Sequence, residues 1–381
     1  KFTWDTRALN IINEYNHLEI TIFNFSLGGG GTEYMLSVLF NKLSLVKKYS
    51  TNLVICQKGG HYENKIVSKN RLFFLNKERI IFSIFKLYKF LKNSQTKILI
   101  TSMLHTNVVS IVLKIFLMPN LRVIIRESNT ISIKLKYEKS FKSKILNLID
   151  KKIYKKADAI IAPTNVIKND LIKNYDVSPN LIHRIPNPYD FDEIKRLSNK
   201  TPTKKEKELL NNDYILSIGR LHPQKNFPLL IKIFKNIISI RRFRNLKLYI
   251  LGDGRDKFKL EKQINSLNLN KKVKLLGFIA NPFIYMKRCK LFILSSIYEG
   301  HSNVLIHSQF LNNKILSSSA GGANKEVLSS NGVVFDSDDP VKLSNLAQQS
   351  LQSKKKNISK TKLLKKFSDK NITLKIEKLF N

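Results

Sequence analysis

The chain has 381 residues, 43 % of them hydrophobic, which is enough for two domains with buried cores and excludes a disordered chain. It carries 67 basic and 28 acidic residues, a formal net charge of +39, and only two cysteines, which exclude a disulfide framework and a cysteine-ligated zinc site. The longest nearly apolar run, residues 108–118, is too short to span a bilayer, and we expect a cytosolic protein without a transmembrane helix.

The positive charge is spread over both halves of the chain and has two interpretations. The first is composition bias, because the chain is rich in Lys, Asn, Ile and Phe, as proteins of AT-rich genomes are. The second is binding to a polyanion, either nucleic acid or an anionic membrane surface. No zinc-finger, RNA-recognition or basic-zipper signature accompanies the charge, so specific nucleic-acid binding is not predicted.

Short apolar runs alternate with longer helical patterns along the whole chain, which is typical of parallel βαβ units. Strands are predicted in the first half at residues 18–25, 52–56, 97–101, 121–125, 159–162 and 181–185. A polar, lysine-rich interval, residues 190–212, shows no apolar periodicity and is interpreted as containing a linker. Strands are predicted again at residues 214–219, 246–251, 273–277, 291–295, 314–318 and 332–335. We therefore predict an α/β fold with two doubly wound parallel sheets and a ligand-binding cleft between them.

Four consecutive glycines, residues 28–31, follow the first predicted strand, and Thr32 is predicted to cap the next helix. Glycines allow close backbone approach, so the amides around Gly29, Gly30 and Gly31 can cradle a phosphate at the helix N-terminus. A tight turn alone would need one or two glycines, which favours the phosphate-binding interpretation. The stretch lacks the spaced glycines of dinucleotide-binding sites.

Two further polar sites follow strands of the first half. His105 opens a helix, where it is either structural or a contact for a sugar hydroxyl. Arg126 and Glu127 end the fourth predicted strand as a charged pair. Because the carboxyl ends of parallel strands meet at one edge of a sheet, both sites are predicted to face the cleft.

The segment 134–156 carries nine lysines and two acids, with apolar residues at roughly helical spacing. One interpretation is a helix that packs on its own domain and exposes a lysine-coated face. The other is a helix that docks on anionic lipid headgroups.

The second half repeats the order of strand, glycine and helix. Arg220 and Lys225 follow the strand that ends at Gly219, and two cations at this edge suit a diphosphate. In so basic a chain, solvated side chains are the alternative. The next strand ends in Gly252, which begins either a simple turn or a nucleotide-adjacent loop. Further on, the stretch SSIYEGHSNVLIHSQF places Glu299 after an apolar strand and His307 eight residues later.

The order of these motifs resembles the retaining glycosyltransferases of family 4, which have the GT-B fold of two Rossmann-like domains. The likeness spans nearly the whole chain and is carried by the glycine-rich turn, SIGRLHPQKN, LGDG, SSIYEGHSNVLIHS and GGANKEV. It is greatest to members that build bacterial surface polysaccharides or lipid-linked oligosaccharides. The resemblance implies a nucleotide-sugar donor, a glycan or lipid-linked acceptor, and a cytoplasmic enzyme bound peripherally to the inner face of the plasma membrane.

The resemblance also implies a domain order. Residues 1–190 would form the acceptor-binding domain, 191–212 the linker and 213–360 the nucleotide-sugar-binding domain. Residues 361–381 would form a C-terminal helix that packs back on the first domain. No cofactor and no metal are implied, because cationic side chains would neutralise the leaving diphosphate.

Individual residues receive roles from the same resemblance. Arg220 and Lys225 would bind the diphosphate, and Glu299 would contact hydroxyls of the donor sugar. With His105 these three form the predicted catalytic set. The predicted donor-binding residues are Gly219, Arg220, Lys225, Gly252, Glu299, Gly300, His301, Ser302, Asn303, Val304, Leu305 and His307.

The chain departs from the family pattern at His307, where a second glutamate usually holds the nucleotide ribose. A neutral imidazole makes one hydrogen bond to a ribose hydroxyl but lacks the two acceptor oxygens of a carboxylate. The outcomes left open are weaker donor binding, a different donor, or a GT-B scaffold with a binding role and no activity. A nucleotide-sugar epimerase is a further alternative, although it would need catalytic acids that the sequence does not place.

Overall fold

The computed structural model describes residues 17–137, 152–354 and 358–381. They form two parallel sheets, one of seven strands and one of six, with helices on both faces. We call the part built on the seven-stranded sheet the first domain and the part built on the six-stranded sheet the second domain. Among the residues described, no helix is both long and apolar enough to cross a bilayer.

The first sheet has the strand order β3-β2-β1-β4-β5-β6-β7, and neighbouring strands run parallel. Its strands are buried by helices on both sides, which explains their nearly continuous apolar sequences. They are β1 Leu18–Asn24, β2 Tyr49–Ile55, β3 Leu72–Phe74, β4 Ile98–Ser102, β5 Arg122–Arg126, β6 Ala159–Ala162 and β7 Ile182–Arg184. The described helices of this half are α1 Gly31–Leu43, α2 Ile84–Asn93, α3 Leu104–Phe116, α4 Ile131–Tyr137 and α5 Asn165–Tyr175.

The second sheet has the order β10-β9-β8-β11-β12-β13 and is also parallel. Its strands are β8 Tyr214–Ile218, β9 Lys247–Leu251, β10 Val273–Leu275, β11 Leu291–Leu294, β12 Ile315–Ser318 and β13 Val333–Phe335. The helices from residue 191 onward are α6 Phe191–Ser198, α7 Lys204–Leu210, α8 Phe227–Ile238, α9 Lys257–Ser266, α10 Phe283–Arg288, α11 Asn303–Phe310, α12 Ala323–Leu328, α13 Pro340–Gln352, α14 Lys360–Phe367 and α15 Asp369–Glu377. Short 3-10 helices occur at Glu63–Lys65, Lys69–Arg71, Ile80–Ser83, Pro179–Leu181, Pro223–Lys225 and Arg241–Phe243.

The prediction of two doubly wound parallel sheets is confirmed, and each predicted strand is present with ends shifted by a few residues. Strand β3 was not predicted. It has three residues, all only partly buried, at the edge of the first sheet, so its pattern is too short to distinguish from a loop.

The interval 190–212 is helical, so its interpretation as a stretch without apolar periodicity is wrong. Asp190 accepts a hydrogen bond from the backbone amide of Glu193 and caps α6, in which Phe191 and Ile194 are buried. Thr203 caps α7 through a capping box. Both helices are short, and α7 is lysine-rich and has no buried residue, which explains why the pattern was missed.

The C-terminal helices α14 and α15 bring the chain back to the first domain. Lys42 on α1 pairs with Asp369 (3.0 Å), and Lys48 pairs with Glu377 (3.0 Å). On the buried side, Ile372, Ile376 and the residues after α15 join the core between α1 and the first sheet. The chain therefore crosses between the domains twice, near residues 189 and 368, where Tyr189 and Ser368 form a bridge.

Candidate active site

The loops that follow the strands of the two sheets face each other. Asn303, the first residue of α11, donates a hydrogen bond to the carbonyl oxygen of Gly31 at the start of α1 (2.9 Å). Thr164, before α5, donates to the carbonyl oxygen of Gly300 (3.2 Å). A Cβ atom at Gly300 would overlap the carbonyl group of Ser128. The two domains are therefore in direct contact, and we call the junction between these loops the cleft.

The side chains of Lys225 and Glu299 form an ion pair at the second-domain side of the cleft. Both are largely buried, with 14 % and 9 % of their side chains exposed. Ser296 donates a further hydrogen bond to the same carboxylate oxygen of Glu299 (2.7 Å), and Ser295 donates to the carbonyl oxygen of Lys225 (2.8 Å). The structure thus brings together two of the four predicted catalytic residues, which are 74 positions apart in the sequence.

The two predicted glycines beside this pair lie in crowded surroundings, and Gly252 is sterically required. A Cβ atom at Gly219 would lie 3.0 Å from the aliphatic chain of Lys225, and one at Gly252 would overlap the carbonyl oxygen of Gly219. Gly252 also has φ +137°, a backbone conformation that side chains rarely adopt. Arg220 is exposed in the same loop, so its guanidinium is accessible to a ligand.

Glu33 is a cleft residue that the sequence reasoning missed. Its carboxylate folds back over the glycine-rich turn, so that a Cβ atom at Gly30 would overlap it. Burial raises the pKa of Glu33, and its own backbone amide and the positive charge of Arg220 across the cleft partly oppose this shift. A carboxylate of the first domain therefore lies beside the turn that was predicted to hold a phosphate.

The glycine-rich turn itself packs against the second domain. A Cβ atom at Gly29 would lie 2.8 Å from the ring of Phe278, which stacks on His61 (centroids 3.9 Å apart). A Cβ atom at Gly31 would lie 2.9 Å from the amide nitrogen of Asn303. The N-cap of α1 is Gly30, so the prediction of Thr32 as the cap is wrong. Phosphate binding by this turn stays a prediction.

A chain of buried hydrogen bonds crosses the cleft. Arg126, at the end of β5, donates to Ser102 (3.1 Å) and to Oδ1 of Asn187 (2.5 Å). Asn187 donates in turn to Oδ1 of Asn303 (2.7 Å), which also accepts from the hydroxyl of Tyr189 (2.7 Å). Burial lowers the pKa of Arg126 to about 10, so it stays charged at neutral pH. Asn187 and Tyr189 were not predicted, because no local pattern marks them.

His301 and His307 are both buried and neutral at physiological pH. Burial, together with nearby positive charges, lowers the pKa of each to about 3. Nδ1 of His301 lies 3.1 Å from the hydroxyl of Tyr189. The ring of His307 packs edge-on against Tyr34, Tyr189 and Phe283, with centroids 5.1 to 5.5 Å apart. Its Nε2 atom has no hydrogen-bond partner among the residues described. The ribose-binding role of His307 stays a prediction.

The remaining predicted donor-binding residues form the start of α11. Ser302 precedes the helix as its N-cap and has a buried hydroxyl without a partner in the described part of the chain. Leu305 belongs to the hydrophobic core, and Val304 packs against it. These two side chains therefore hold the helix in place.

The polar residues of the first domain that were predicted to face the cleft, His105, Arg126 and Glu127, have different contacts. His105, in the first turn of α3, packs edge-on against Phe25 (5.7 Å), and burial and Lys134 lower its pKa. Glu127 is fully buried, accepts a hydrogen bond from Tyr154, and has its pKa raised by burial. Arg126 and Glu127 therefore each have their own partners and do not act as one exposed pair.

Glu326 on α12 is a second missed residue at the domain junction. It accepts a hydrogen bond from Arg184 (2.8 Å) and from the backbone amide of Asn165 (2.8 Å) at the start of α5. A carboxylate at a helix N-terminus is favourable, because it meets unpaired amides and the positive end of the helix dipole. Over residues 17–137, 152–354 and 358–381, no group of three or more His, Cys, Asp or Glu side chains is arranged to hold a metal ion.

Two family models match the chain and together cover most of its length. Residues 45–193 match the model for Glycosyltransferase Family 4, and residues 199–370 match the model for Glycosyl transferases group 1. Each model covers one of the two domains, so the order of the matches agrees with the order of the sheets.

Curated relatives point to the same family. The N-acetylgalactosamine-N,N'-diacetylbacillosaminyl-diphospho-undecaprenol 4-alpha-N-acetylgalactosaminyltransferase of Campylobacter jejuni is 30 % identical over 301 residues, covering 76 % of this chain and 78 % of that protein. An uncharacterized glycosyltransferase of Methanocaldococcus jannaschii is 36 % identical over 193 residues, which is 50 % of this chain and 47 % of that protein. The aligned part thus spans about half the length of the archaeal relative.

Solved structures show the same fold at low sequence identity. Anabaena HepE, crystallised with UDP-glucose, superposes with a TM-score of 0.76 at 16 % identity, covering 95 % of this chain and 99 % of that one. Sucrose-phosphate synthase from Thermosynechococcus elongatus superposes with a TM-score of 0.75 at 14 % identity, covering 96 % and 98 %. The chain belongs to the family 4 glycosyltransferases, and its two facing parallel sheets have the GT-B fold.

Proposed function

We propose that this glycosyltransferase, of the hexosyltransferase type, moves a sugar from a nucleoside-diphosphate sugar to a glycan or lipid-linked acceptor during synthesis of a cell-surface polysaccharide, with retention of the anomeric configuration. The observation that carries the proposal is the ion pair of Lys225 and Glu299 beside the exposed Arg220. The two cations can bind a diphosphate, and the adjacent carboxylate can accept hydrogen bonds from a sugar attached to that diphosphate. The UDP-glucose complex of a protein with the same fold supports this type of donor.

The donor diphosphate replaces Glu299 as the partner of Lys225. Lys225 then contributes a point charge, and Arg220 contributes a fork of donors to the same phosphates. Both cations stabilise the negative charge that develops as the nucleoside diphosphate leaves. Released from Lys225, Glu299 accepts hydrogen bonds from hydroxyls of the donor sugar. In this proposal the cationic side chains supply the charge neutralisation, and no metal is required.

The nucleoside side of the donor lies toward α11. A ribose hydroxyl that reaches Nε2 of His307 would satisfy a buried nitrogen that has no partner within the described residues. Leaving such a group unpaired costs about 1–3 kcal/mol, so the donor gains affinity by pairing it. The backbone of residues 300–305 approaches the sugar and phosphates from the N-terminus of α11.

The acceptor lies on the first-domain side, near His105, Glu33 and the glycine-rich turn. The name of the Campylobacter relative describes a sugar carried on diphospho-undecaprenol, which supports a lipid-linked acceptor. Such an acceptor is held in a membrane, so we place the enzyme peripherally on the inner face of the plasma membrane. Most of the basic segment 134–156, which was expected to contact anionic headgroups, lies outside the described residues.

The first prediction tests the diphosphate site. Arg220→Ala and Lys225→Ala each weaken the binding of UDP or GDP, measured by isothermal titration calorimetry, by about tenfold or more, because a charge-assisted hydrogen bond is lost. Arg241→Ala is the matched control, since Arg241 is an exposed arginine in the 3-10 helix that precedes β9 at the opposite edge of the sheet. Unchanged nucleotide affinity in both site variants would overturn the proposal.

The second candidate function is a GT-B scaffold that binds a nucleotide or glycan without transferring sugar. The observation that favours it is the replacement of the second glutamate by His307 within an aromatic cluster. Measurement of donor hydrolysis and sugar transfer separates the two, because a scaffold binds the nucleotide and releases no free UDP from UDP-sugar.

A further inference from the structure

Three large apolar side chains lie together on the surface of the first domain. Ile81 and Phe82, in the 3-10 helix Ile80–Ser83, are each 62 % exposed, and Phe85, in the first turn of α2, is 79 % exposed. We call these three residues the apolar patch. Single exposed apolar residues are ordinary, but three within five positions form a contiguous surface of the kind that contacts a partner.

The segment that carries the apolar patch is anchored in the core. Ser83, Leu87 and Leu91 are buried, and Ser83 donates a hydrogen bond to the carbonyl oxygen of Ile80 (2.5 Å). The inner face of the segment therefore packs as an amphipathic helix should. The apolar patch lies on its outer face, where a helix of a soluble protein normally has polar residues.

Exposed basic side chains flank the apolar patch along the sequence. Arg79, Lys86, Lys89 and Lys92 are exposed, and residues 76–93 contain five basic residues and one acid, Glu78. An apolar surface flanked by cations is complementary to a bilayer with anionic headgroups, because the apolar side chains enter the interface and the cationic groups stay at headgroup level.

The apolar patch is also on the side of the domain that holds the cleft. It follows the carboxyl end of β3, and the 3-10 helix Ile80–Ser83 packs against α3, whose first turn contains His105. A bilayer at the apolar patch would thus lie beside the acceptor side of the cleft. A lipid-linked acceptor would reach His105 and Glu33 without leaving the membrane.

We propose that Ile81, Phe82 and Phe85 insert into the interface of an anionic phospholipid bilayer and that Arg79, Lys86, Lys89 and Lys92 bind its headgroups. The proposal rests on the proposed function only for the lipid-linked acceptor. The contact with the bilayer follows from the exposed apolar and basic side chains.

The experiment is sedimentation of the full chain with vesicles of phosphatidylglycerol and phosphatidylcholine, and with vesicles of phosphatidylcholine alone. The double variant Phe82→Ser with Phe85→Ser is expected to bind anionic vesicles more weakly than the parent by a factor of about ten or more. The matched control is Phe116→Ser with Phe258→Ser, which removes two phenylalanines that are 74 % and 67 % exposed outside the apolar patch. The control is expected to bind as the parent does.

A charge variant separates the two parts of the contact. Lys86→Gln, Lys89→Gln and Lys92→Gln together are expected to weaken binding at low salt and to make little difference at high salt, where charges are screened. The loss in the double phenylalanine variant is expected to persist at high salt, because burial of apolar surface is not screened.

Equal sedimentation of the phenylalanine variant and its control would overturn the proposal, as would equal binding of the parent to neutral vesicles. A third result would also overturn the proposal: the parent is a dimer by gel filtration, the phenylalanine variant is a monomer, and neither binds vesicles. That result would show that the apolar patch joins two copies of the chain. UDP affinity, measured for every variant, checks the fold. If the parent binds vesicles but no nucleotide, the proposed function is wrong and the proposed bilayer contact still holds.

Discussion

At the scale of single residues, Glu33 places a negative charge beside the predicted diphosphate site. Its carboxylate lies over the glycine-rich turn and interacts with Arg220 across the cleft. We predict that Glu33→Gln tightens UDP binding by about two- to tenfold, because a like charge is removed. In the parent, affinity rises as pH falls through the raised pKa of Glu33, and in the variant this rise is absent. Calorimetry over a pH series measures both effects.

Glu78→Gln is the control for this prediction, because Glu78 is an exposed acid of the same domain outside the cleft. It should leave UDP affinity and its pH dependence as in the parent. Weaker UDP binding in Glu33→Gln would show the opposite role, in which the carboxylate orients Arg220 for the donor.

His307 and His301 link stability to pH. Below their ordinary pKa of 6.5 the unfolded chain binds a proton at each ring, whereas the folded chain does not until about pH 3. The unfolded state therefore binds more protons, and the free energy of unfolding falls by about 1.4 kcal/mol per histidine for each pH unit below about pH 6. We predict that His307→Phe removes half of this dependence and weakens nucleotide binding by about 1 kcal/mol, one hydrogen bond.

Urea unfolding between pH 7 and pH 5 measures the dependence on pH. His17→Phe is the control, because His17 is exposed. A slope in His307→Phe equal to that of the parent would contradict the buried, neutral state of this ring. Tighter nucleotide binding by His307→Phe would exclude His307 from the ribose contact.

The sequence predicted some of these residues and not others for a physical reason. Lys225 was predicted from its place in the loop that follows a strand, and Glu299 from the resemblance to a family motif, so short stretches of sequence were enough to select both. The partners of Asn303 could not be found in this way, because Asn187 is 116 positions away and Gly31 is 272 positions away. Glu33 is the second residue after the glycines, and an acid in the first turn of a helix is too common to indicate a binding site.

At the scale of elements, burial on both faces made the strands predictable. β4 is buried at all five positions and reads as one apolar run, whereas β3 has no fully buried residue and was missed. Helix α7 was missed because none of its residues is buried, and α6 was missed because it has only eight residues. Their N-caps, Asp190 and Thr203, are residue types typical of helix starts, so both helices could have been predicted from the sequence.

Helix α15 allows a test of how firmly the C-terminus is joined to the first domain. Ile372 is fully buried in the core beside α1, so Ile372→Ala should destabilise the protein by about 2–5 kcal/mol. Leu374→Ala, on the same helix but 52 % exposed, is the matched control and should cost less than about 1 kcal/mol. Urea unfolding measures both. A small effect of Ile372→Ala would mean that α15 contributes little to the fold of the first domain.

At the scale of the whole molecule, we expect sugar transfer to depend on how closely the two domains approach. Gly300 lies against the backbone of Ser128, where a methyl group does not fit. We predict that Gly300→Ala holds the cleft open, which lowers the rate of sugar transfer more than it lowers UDP affinity and increases the radius of gyration measured by small-angle X-ray scattering. In the proposed function, transfer needs both domains, whereas the nucleotide is bound mainly by the second.

Gly332→Ala is the control for Gly300→Ala, since its Cβ would come no nearer than 3.3 Å to any atom. It should leave the radius of gyration and the transfer rate unchanged. A Gly300→Ala variant as compact and as active as the parent would show that the close approach of Gly300 to Ser128 is dispensable.

The return of the C-terminus to the first domain has a consequence during protein synthesis. The first domain lacks part of its core until Ile372 and Ile376 have been made, because both lie against α1 and the first sheet. Roughly 180 residues separate Asp190 from these positions, which the ribosome needs about 10–40 s to translate at 5–20 residues per second. During that interval the apolar surface of α1 is exposed on a nascent chain. The core of the second domain also includes Leu363 and Phe367 of α14, so both domains complete their cores only when the C-terminal helices have been translated.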